Sequence, residues 1–396
     1  MLLSVALLAV VIAGCKRRGI TYPANYREYV YVTNGGSNDV SVIDLPHLRK
    51  VQQIAVGTDP SGIAANPHTN ELYVVNTGSG TVSVIDAQTN AVTATIAVGK
   101  TPYEIDVASD GTRAVVANSG DDTVSLIDLK ARKVTATFHV GHAPGLARMA
   151  LKAPVAVVTE RESDSISVID LAAVQVRTGS LPVCKTPTDI VILPDGSKAF
   201  VACSGAAQVA VVGLEVPAEA SSGASSVAAV NSKRRSEDKL LTLLHVGDTP
   251  VHLAMKPDTG EIFVENFDGS SISEIATGSN EVGGTYFVGS KPSDAVITAD
   301  NSLLYVSNFG SDDVAQYSID NGKVIATVAV GGSPDALALS RDEQFLFVAD
   351  TKSEDLAVIR TNVGKGKPTI LTLLPLGKQP NAIAVKAFTI GPSNQD

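Results

Sequence analysis

Four ionisable side chains occupy one position of a repeated sequence motif and could together bind a cation or another ligand. The motif is Val-Gly-x-x-Pro, and the position lies two residues after its proline. The four side chains are those of Glu104, Asp189, His252 and Asp294. Hard divalent cations prefer carboxylate oxygens, and imidazole adds a nitrogen ligand of intermediate softness. The sequence therefore predicts a metal or ligand site, with the alternative that each side chain only caps its own turn.

Four more residues belong to the same region of the motif. Tyr103 and His142 lie in neighbouring copies, so we expect them to line the mouth of the same site. Asp106 and Arg148 lie four positions after the proline, where most copies carry Ala or Val. We expect these two to form an ion pair across neighbouring repeats near a central axis. The pair would be either a structural contact or the floor of a ligand site.

Two cysteines interrupt the repeat. Cys184 replaces the glycine of one turn motif, and Cys203 replaces the asparagine that ends the following strand. The two strands run antiparallel, so the start of one lies beside the end of the other. The sequence predicts a disulfide here, which would stabilise the fold by roughly 3 kcal/mol by constraining the unfolded chain.

The elements that position these residues are short strands in a long repeat. A strand of the Tyr-Val-x-Asn type ends at Asn34, Asn76, Asn118, Glu160, Cys203, Asn266, Asn308 and Asp350. These positions are 42 or 43 residues apart, except for one interval of 63. Within one copy, from Ser61 to Pro102, four stretches of alternating apolar residues are separated by turn-forming residues. Four strands in about 42 residues are typical of a β-propeller blade.

The ends of the repeat predict how the propeller closes. The first Tyr-Val-x-Asn strand has no turn motif before it, and the last turn motif is followed by one strand, Asn381 to Val385. We expect the two end strands to complete one blade, because closure removes exposed sheet edges. The prediction is an all-β, eight-bladed propeller of four-stranded antiparallel blades. Seven blades is the alternative if the irregular fourth or fifth repeat does not form a full sheet.

The repeat has a family resemblance. The strings Tyr31-Val32-Thr33-Asn34 and Val82-Ser83-Val84-Ile85-Asp86 resemble the YVTN-type repeats of bacterial and archaeal surface-layer and periplasmic propeller proteins. The resemblance extends from about Tyr29 to Val385 and implies the fold, but such scaffolds carry many functions. A more distant similarity is to the haem d1 propeller of cytochrome cd1 nitrite reductase.

The N-terminal sequence predicts where in the cell the protein is located. Residues 1–14 are apolar, too short to span a bilayer and rich in small residues at their end, which is typical of a signal peptide. Ile12-Ala13-Gly14-Cys15 resembles a bacterial lipobox, in which Cys15 becomes the lipidated first residue; the alternative is an ordinary cleaved signal peptide in which Cys15 has no role. The sequence therefore predicts that the protein is exported and anchored by a lipid at a periplasmic membrane face or at the cell surface. By resemblance to Gram-negative sorting, Lys16 favours the outer membrane.

We predict the following division of the chain. A tether covers 15–27, the propeller 28–387 and a tail 388–396, and an Ala/Ser/Gly-rich insertion at 217–239 forms a mobile loop.

Composition excludes some functions. With 31 basic and 41 acidic residues the net charge is −10, and there is no Trp, so we expect no nucleic-acid partner. The sequence lacks Cys-x-x-Cys-His, Gly-x-Ser-x-Gly, His-Glu-x-x-His and a phosphate loop. The oligomeric state stays open.

Three functions are compatible with these patterns. The first is a non-catalytic envelope propeller that presents one of its two loop-bearing faces to a protein, a glycan or a small ligand, and it needs no cofactor. The second is a redox role with haem d1 or a quinone cofactor, for which His252, His142 and Arg148 have suitable positions. The third is a lactonase-like hydrolase that uses Glu104, Asp189, Asp294 and His252 around a divalent cation. We favour the first.

Overall fold

The computed structural model of the protein describes residues 22–215, 237–362 and 366–390. Cys15 and most of the predicted insertion therefore lie outside the described residues. The described part forms eight four-stranded antiparallel sheets arranged as blades in a ring. The predicted eight-bladed propeller is confirmed, and the seven-bladed alternative is wrong.

Each blade has an inner, a second, a third and an outer strand. The inner strands are β4 (Pro60–Ala65), β8 (Pro102–Val107), β12 (Pro144–Met149), β16 (Pro187–Ile192), β20 (Pro250–Met255), β24 (Pro292–Ile297), β28 (Pro334–Leu339) and β32 (Pro380–Thr389). The second strands are β5 (Glu71–Asn76), β9 (Arg113–Asn118), β13 (Val155–Glu160), β17 (Lys198–Cys203), β21 (Glu261–Asn266), β25 (Leu303–Asn308), β29 (Phe345–Asp350) and β1 (Tyr26–Asn34).

The remaining strands lie further from the axis. The third strands are β6 (Thr81–Asp86), β10 (Thr123–Asp128), β14 (Ser165–Asp170), β18 (Gln208–Gly213), β22 (Ser271–Ala276), β26 (Asp313–Ser318), β30 (Asp355–Arg360) and β2 (Asp39–Asp44). The outer strands are β7 (Ala91–Ala97), β11 (Lys133–His139), β15 (Gln175–Pro182), β19 (Lys239–His245), β23 (Glu281–Phe287), β27 (Lys323–Ala329), β31 (Thr369–Pro375) and β3 (Arg49–Ala55). A 3₁₀ turn covers Gly35–Ser37.

The two ends of the chain share blade 1. Strand β1 pairs antiparallel with β32, with Val30 opposite Val385, and also with β2. The sheet extends two residues beyond each predicted boundary, from Tyr26 to Thr389. Lys239, predicted as the end of the insertion, begins the outer strand β19. No helix among the described residues is long and apolar enough to cross a membrane.

The hydrophobic core is divided among the eight interfaces between blades. Successive residues of a strand point to opposite faces of its sheet, so each second strand packs against both neighbours. In β5, for example, Val74 packs with residues of blade 1, whereas Tyr73 and Val75 pack with residues of blade 3. These three side chains are fully buried. Burial on both faces explains why the second and third strands are nearly continuous runs of Val, Ile, Ala and Tyr.

A hydrogen-bond set, here called the Asn latch, joins the turn motif to the second strand in blades 2 and 3, and Glu160 and Asp350 accept the same Gly N–H in blades 4 and 8. In blade 2, Asn76 Oδ1 accepts the Gly57 N–H at 3.0 Å, and Asn76 Nδ2 donates to Thr81 Oγ1 and Ser83 Oγ. A Cβ on Gly57 would come within 2.6 Å of the Asn76 side chain, so the turn requires glycine. The latch explains the repeated Asn and Gly without any role in chemistry.

The propeller has two edges that differ in their connections. The turn face carries the Val-Gly-x-x-Pro turns, such as residues 98–101, and the loops that follow the second strands. The loop face carries the opposite connections, such as residues 66–70 and 87–90. Strand β1 begins at the loop face, because its Tyr29 pairs with Asp44, the loop-face end of β2. Strand β32 ends at the same face, because its Lys386 pairs with Tyr29 from the other side.

Candidate ligand site at the channel mouth

The inner strands carry the predicted site residues, and a bulge at the start of each strand aims them. In β8, Pro102 is opposite Asn118 and Ile105 is opposite Val116, so one extra residue is inserted on the inner strand. A bulge of this kind re-aims the adjacent side chains. Glu104 lies in this irregular segment and turns toward the neighbouring blade.

Arg148 forms its ion pair with Glu104 and not with Asp106, which corrects the sequence prediction. The Arg148 guanidinium lies 2.9 Å from Glu104 Oε1. Asp106 Oδ2 instead accepts the Met149 backbone N–H at 2.7 Å, which joins the inner strands of blades 3 and 4. Burial raises the pKa of Asp106, and the positive charge of Arg148 opposes this shift. Asp106 thus acts on Arg148 through its charge at longer range.

A second cluster gathers three of the predicted residues in blades 5, 6 and 7. His252 Nε2 lies 3.4 Å from Asp294 Oδ1 and 3.9 Å from Asp189 Oδ2, and its Nδ1 lies 3.0 Å from Glu265 Oε2. Burial acts to lower the pKa of His252, but Asp294, Glu265 and Asp189 outweigh it and raise the pKa to about 10. His252 is therefore an imidazolium at neutral pH and is the cation of this cluster.

The two aspartates of the cluster also connect neighbouring inner strands. Asp189 Oδ2 accepts the Leu253 N–H at 2.9 Å, and Asp294 Oδ2 accepts the Leu337 N–H at 2.7 Å. Each carboxylate accepts a backbone amide of the next blade, as Asp106 does. The acidic residues of the inner strands therefore hold adjacent blades together around the axis.

Sequence reasoning missed Glu265, which lies on the second strand β21. Its side chain is fully inaccessible to solvent, and its Oε1 has no hydrogen-bond partner among the described residues. Burial raises the pKa of Glu265, against the opposing effect of His252. The signal was present in the sequence, because the residue before the strand-ending Asn is apolar, Thr or Ser in the other repeats. A carboxylate in that buried position requires a partner.

The contacts do not support the predicted divalent-cation site. Glu104 is paired with Arg148 and is not among the carboxylates that contact His252. Both ring nitrogens of His252 already face carboxylate oxygens, Nδ1 that of Glu265 and Nε2 that of Asp294, so a metal at this imidazole would have to displace these contacts. Among the described residues there is no group of three or more His, Cys, Asp or Glu side chains that could hold a metal ion.

The predicted haem d1 ligands are not gathered either. His252 and Arg148 are engaged by carboxylates as described above. His142 lies at the rim of the turn face, where its Nδ1 pairs with Asp122 Oδ2 at 2.8 Å and its side chain is 76% exposed. These three residues therefore do not fit an anionic macrocycle at one place.

Tyr103 is the predicted mouth residue that stays available. Its ring is 46% exposed at the start of β8, and the Arg161 guanidinium lies 5.1 Å from the ring centre. Gly145 leaves room for this arginine, because a Cβ there would come within 2.4 Å of Arg161 Nε. Such a cation–π pair presents an aromatic ring and a positive charge side by side. This is a surface suited to binding.

The two cysteines form a disulfide at the turn face of blade 5. Cys184 and Cys203 are bonded, with their Cα atoms 5.8 Å apart and a separation of 19 in sequence. Cys184 replaces the glycine of the Asn latch and Cys203 its asparagine. The covalent bond thus takes the place of the hydrogen bonds that the latch provides elsewhere.

Two family models match parts of the chain, and both describe propellers. The model described as "Lactonase, 7-bladed beta-propeller" matches residues 272–385, and the "YNCE-like beta-propeller" model matches residues 63–151. The chain resembles β-propeller families. No curated protein matches its sequence significantly.

Solved structures extend this resemblance over nearly the whole chain. Dihydro-haem d1 dehydrogenase NirN, solved in complex with DHE, has a TM-score of 0.70 and 15% identity, and the match covers 93% of this chain and 76% of NirN. AztD from Citrobacter koseri has a TM-score of 0.64 and 13% identity, over 92% of this chain and 99% of AztD. A putative 6-phosphogluconolactonase from Bacteroides fragilis has a TM-score of 0.61 and 14% identity, over 92% and 98%. At these identities the likeness shows the fold alone, and it confirms the predicted propeller resemblance.

Proposed function

We propose that this protein is an exported propeller, anchored by a lipid on Cys15, that binds a ligand of the cell envelope on its turn face and does no chemistry. The ligand would be a protein, a glycan or a small molecule, and the outer membrane is the favoured location in a Gram-negative cell. Nucleic acid is not proposed as a partner. The proposal needs no cofactor.

One observation carries the proposal. The ionisable residues that the sequence predicted on the inner strands are engaged with one another, with Arg148 or with backbone amides of the next blade; these are Glu104, Asp106, Asp189, His252 and Asp294. A general base or a metal ligand must face the substrate, whereas these contacts direct the predicted side chains toward partners within the protein. What the mouth offers to a partner is the exposed ring of Tyr103 with Arg161 beside it.

The test compares crosslinking at two exposed positions of the full chain in its native envelope. A photoreactive phenylalanine analogue replaces Tyr103 on the turn face or Leu151 on the loop face, which are 46% and 58% exposed. We expect one dominant crosslinked species from position 103, and we expect that species to be missing from the products of position 151. Equal labelling from both positions would contradict a turn-face ligand.

A second measurement tests the absence of chemistry. The purified full chain is assayed for bound metal, for visible haem absorption and for hydrolysis of simple lactones, alone and as His252→Gln. We expect no stoichiometric metal, no visible absorption and no hydrolysis above background. Lactone hydrolysis that His252→Gln abolishes would support the hydrolase alternative, and haem absorption would support the redox alternative.

A further inference from the structure

The N-terminal segment is fixed to the loop face as far as Tyr22. The Tyr22 hydroxyl donates to Asp342 Oδ2 at 3.1 Å, and Asp342 lies in the loop-face connection between β28 and β29. The Tyr22 ring also stacks on Tyr26, with ring centres 5.1 Å apart and planes inclined by 9°. The chain therefore leaves the folded body from the loop face, on the side opposite Tyr103.

The length of the remaining chain limits where the membrane can lie. Seven peptide units separate Cys15 from Tyr22, and they can extend over at most about 25 Å. Strand β1 rises by eight residue steps, about 27 Å, from Tyr26, which stacks on Tyr22, to Asn34 at the turn face. A lipid on Cys15 could not reach a membrane that lies against the turn face, because the chain would have to pass along the full height of the body.

The surface beside the N-terminal segment has the chemistry of a lipid contact. Arg27, His47 and Arg49 line a cleft there together with the Tyr22 and Tyr26 rings and with Asp44, which pairs with His47. Arginine side chains interact favourably with anionic headgroups, and tyrosines are enriched at the level of the headgroups. Lys16, Arg17 and Arg18 in the tether sequence add three more positive charges next to Cys15.

We propose that the loop face lies on the membrane and that the turn face, with Tyr103, points away from it. This orientation rests on the proposed lipid at Cys15. It assigns the two faces different partners, with an anionic bilayer surface at the loop face and the envelope ligand at the turn face. The membrane thus leaves the binding face open.

The experiment measures the distance of each face from lipid. The lipidated full chain carries a single added cysteine, Thr89→Cys on the loop face or Lys100→Cys on the turn face. Both positions are exposed and both belong to the blade 2 region. A donor fluorophore on the added thiol is combined with vesicles of phosphatidylethanolamine and phosphatidylglycerol that contain an acceptor lipid. We expect clearly more efficient energy transfer from position 89 than from position 100.

Two controls separate the orientation from the anchor. Flotation with the vesicles, lost in Cys15→Ala, tests the lipid anchor itself. Failure of the wild-type chain to float would overturn the proposed anchoring and with it the orientation. Flotation with equal transfer from both labels, or more from position 100, would overturn the orientation alone.

A longer tether tests the physical reason. Twenty Gly/Ser residues inserted between Cys15 and Tyr22 should reduce the difference in transfer between the two labels, because the body can then turn over. An unchanged difference would show that tether length does not set the orientation.

Discussion

Asp350 and Asp355 of blade 8 face each other at the position where blades 1, 2, 3, 6 and 7 have an Asn Nδ2 donor opposite an acceptor. In blade 7, Asn308 Nδ2 donates to Asp313 Oδ1 at 2.7 Å. In blade 8, Asp350 Oδ2 accepts the Gly331 N–H, but Asp350 Oδ1 and Asp355 Oδ1 are buried without a donor. Two carboxylates can only accept hydrogen bonds, so the pair needs a proton between them.

The surroundings of this pair favour the protonated form. Asp350 is fully inaccessible to solvent. Burial raises the pKa of Asp350 to about 8, with further contributions from Asp355 and, from the loop after β25, Asp312. All the charged groups that act on it are thus acidic. The folded state takes up a proton here that the unfolded state, with an ordinary Asp pKa of about 4, releases above that pH.

The first prediction concerns Asp350→Asn, which restores the latch. Because the pKa of Asp350 is raised in the folded state, its contribution to stability is complete below about pH 4 and is lost as the pH rises toward 8. The variant should therefore unfold like the wild type at pH 5 and be more stable by about 1–3 kcal/mol at pH 8.5. Urea denaturation at the two pH values measures the difference.

The matched control creates the same pair of carboxylates in blade 7. Asn308→Asp places a carboxylate opposite Asp313 and should lose a similar amount of stability at pH 8.5 but little at pH 5. The explanation fails if Asp350→Asn keeps the pH dependence of the wild type. Calcium that stabilises the wild type at pH 8.5, without an effect on Asp350→Asn, would show that a cation and not a proton joins the two carboxylates.

The second prediction concerns His252, the positive charge among three carboxylates. His252→Gln removes that charge and should destabilise the fold by about 3–5 kcal/mol at pH 7, because it leaves buried negative charges uncompensated. The pKa of His252 is raised to about 10, so its contribution is complete below about pH 6.5 and is lost as the pH rises through 10. Denaturation at pH 7 measures the loss.

A companion variant tests the charge balance of this cluster. His252→Gln combined with Glu265→Gln should lose less stability than the sum of the two single changes, because the double variant no longer buries the unpaired Glu265 carboxylate. An imidazole signal of His252 that titrates between pH 6 and 7.5 in NMR would contradict the predicted imidazolium.

The third prediction concerns the disulfide of blade 5. Cys184→Ala with Cys203→Ala should lower the free energy of unfolding by about 3 kcal/mol. Cys184→Gly with Cys203→Asn restores the two latch residues and should recover part of this loss. Urea denaturation of the two double variants and of the reduced wild type measures these differences in the free energy of unfolding. Equal stability of the Ala and the Gly/Asn pairs would mean that the latch contributes nothing measurable in this blade.

The sequence predicts the blades well because each blade repeats one pattern. The 42-residue spacing therefore identifies a blade even where its own copy of the pattern is irregular. It predicts individual contacts less well. The Asp106–Arg148 pairing assumed a regular inner strand, whereas a bulge between Pro102 and Ile105 changes where Glu104 points. Glu265 was not predicted as a site residue because the other residues of the second strands are mostly apolar and buried in the core. Bulges and single polar replacements depend on local backbone geometry that the repeat pattern does not contain.

The fourth prediction decides which carboxylate couples to Arg148. Glu104 Oε1 lies 2.9 Å from the guanidinium, whereas Asp106 is held by the Met149 amide. A double-mutant cycle of Glu104→Gln with Arg148→Gln should therefore give a coupling energy of roughly 1 kcal/mol. The matched cycle of Asp106→Asn with Arg148→Gln should give a smaller one, although Asp106→Asn alone costs stability by weakening its bond to the Met149 amide. The opposite order of the two coupling energies would mean that Asp106 is the partner of Arg148 in solution.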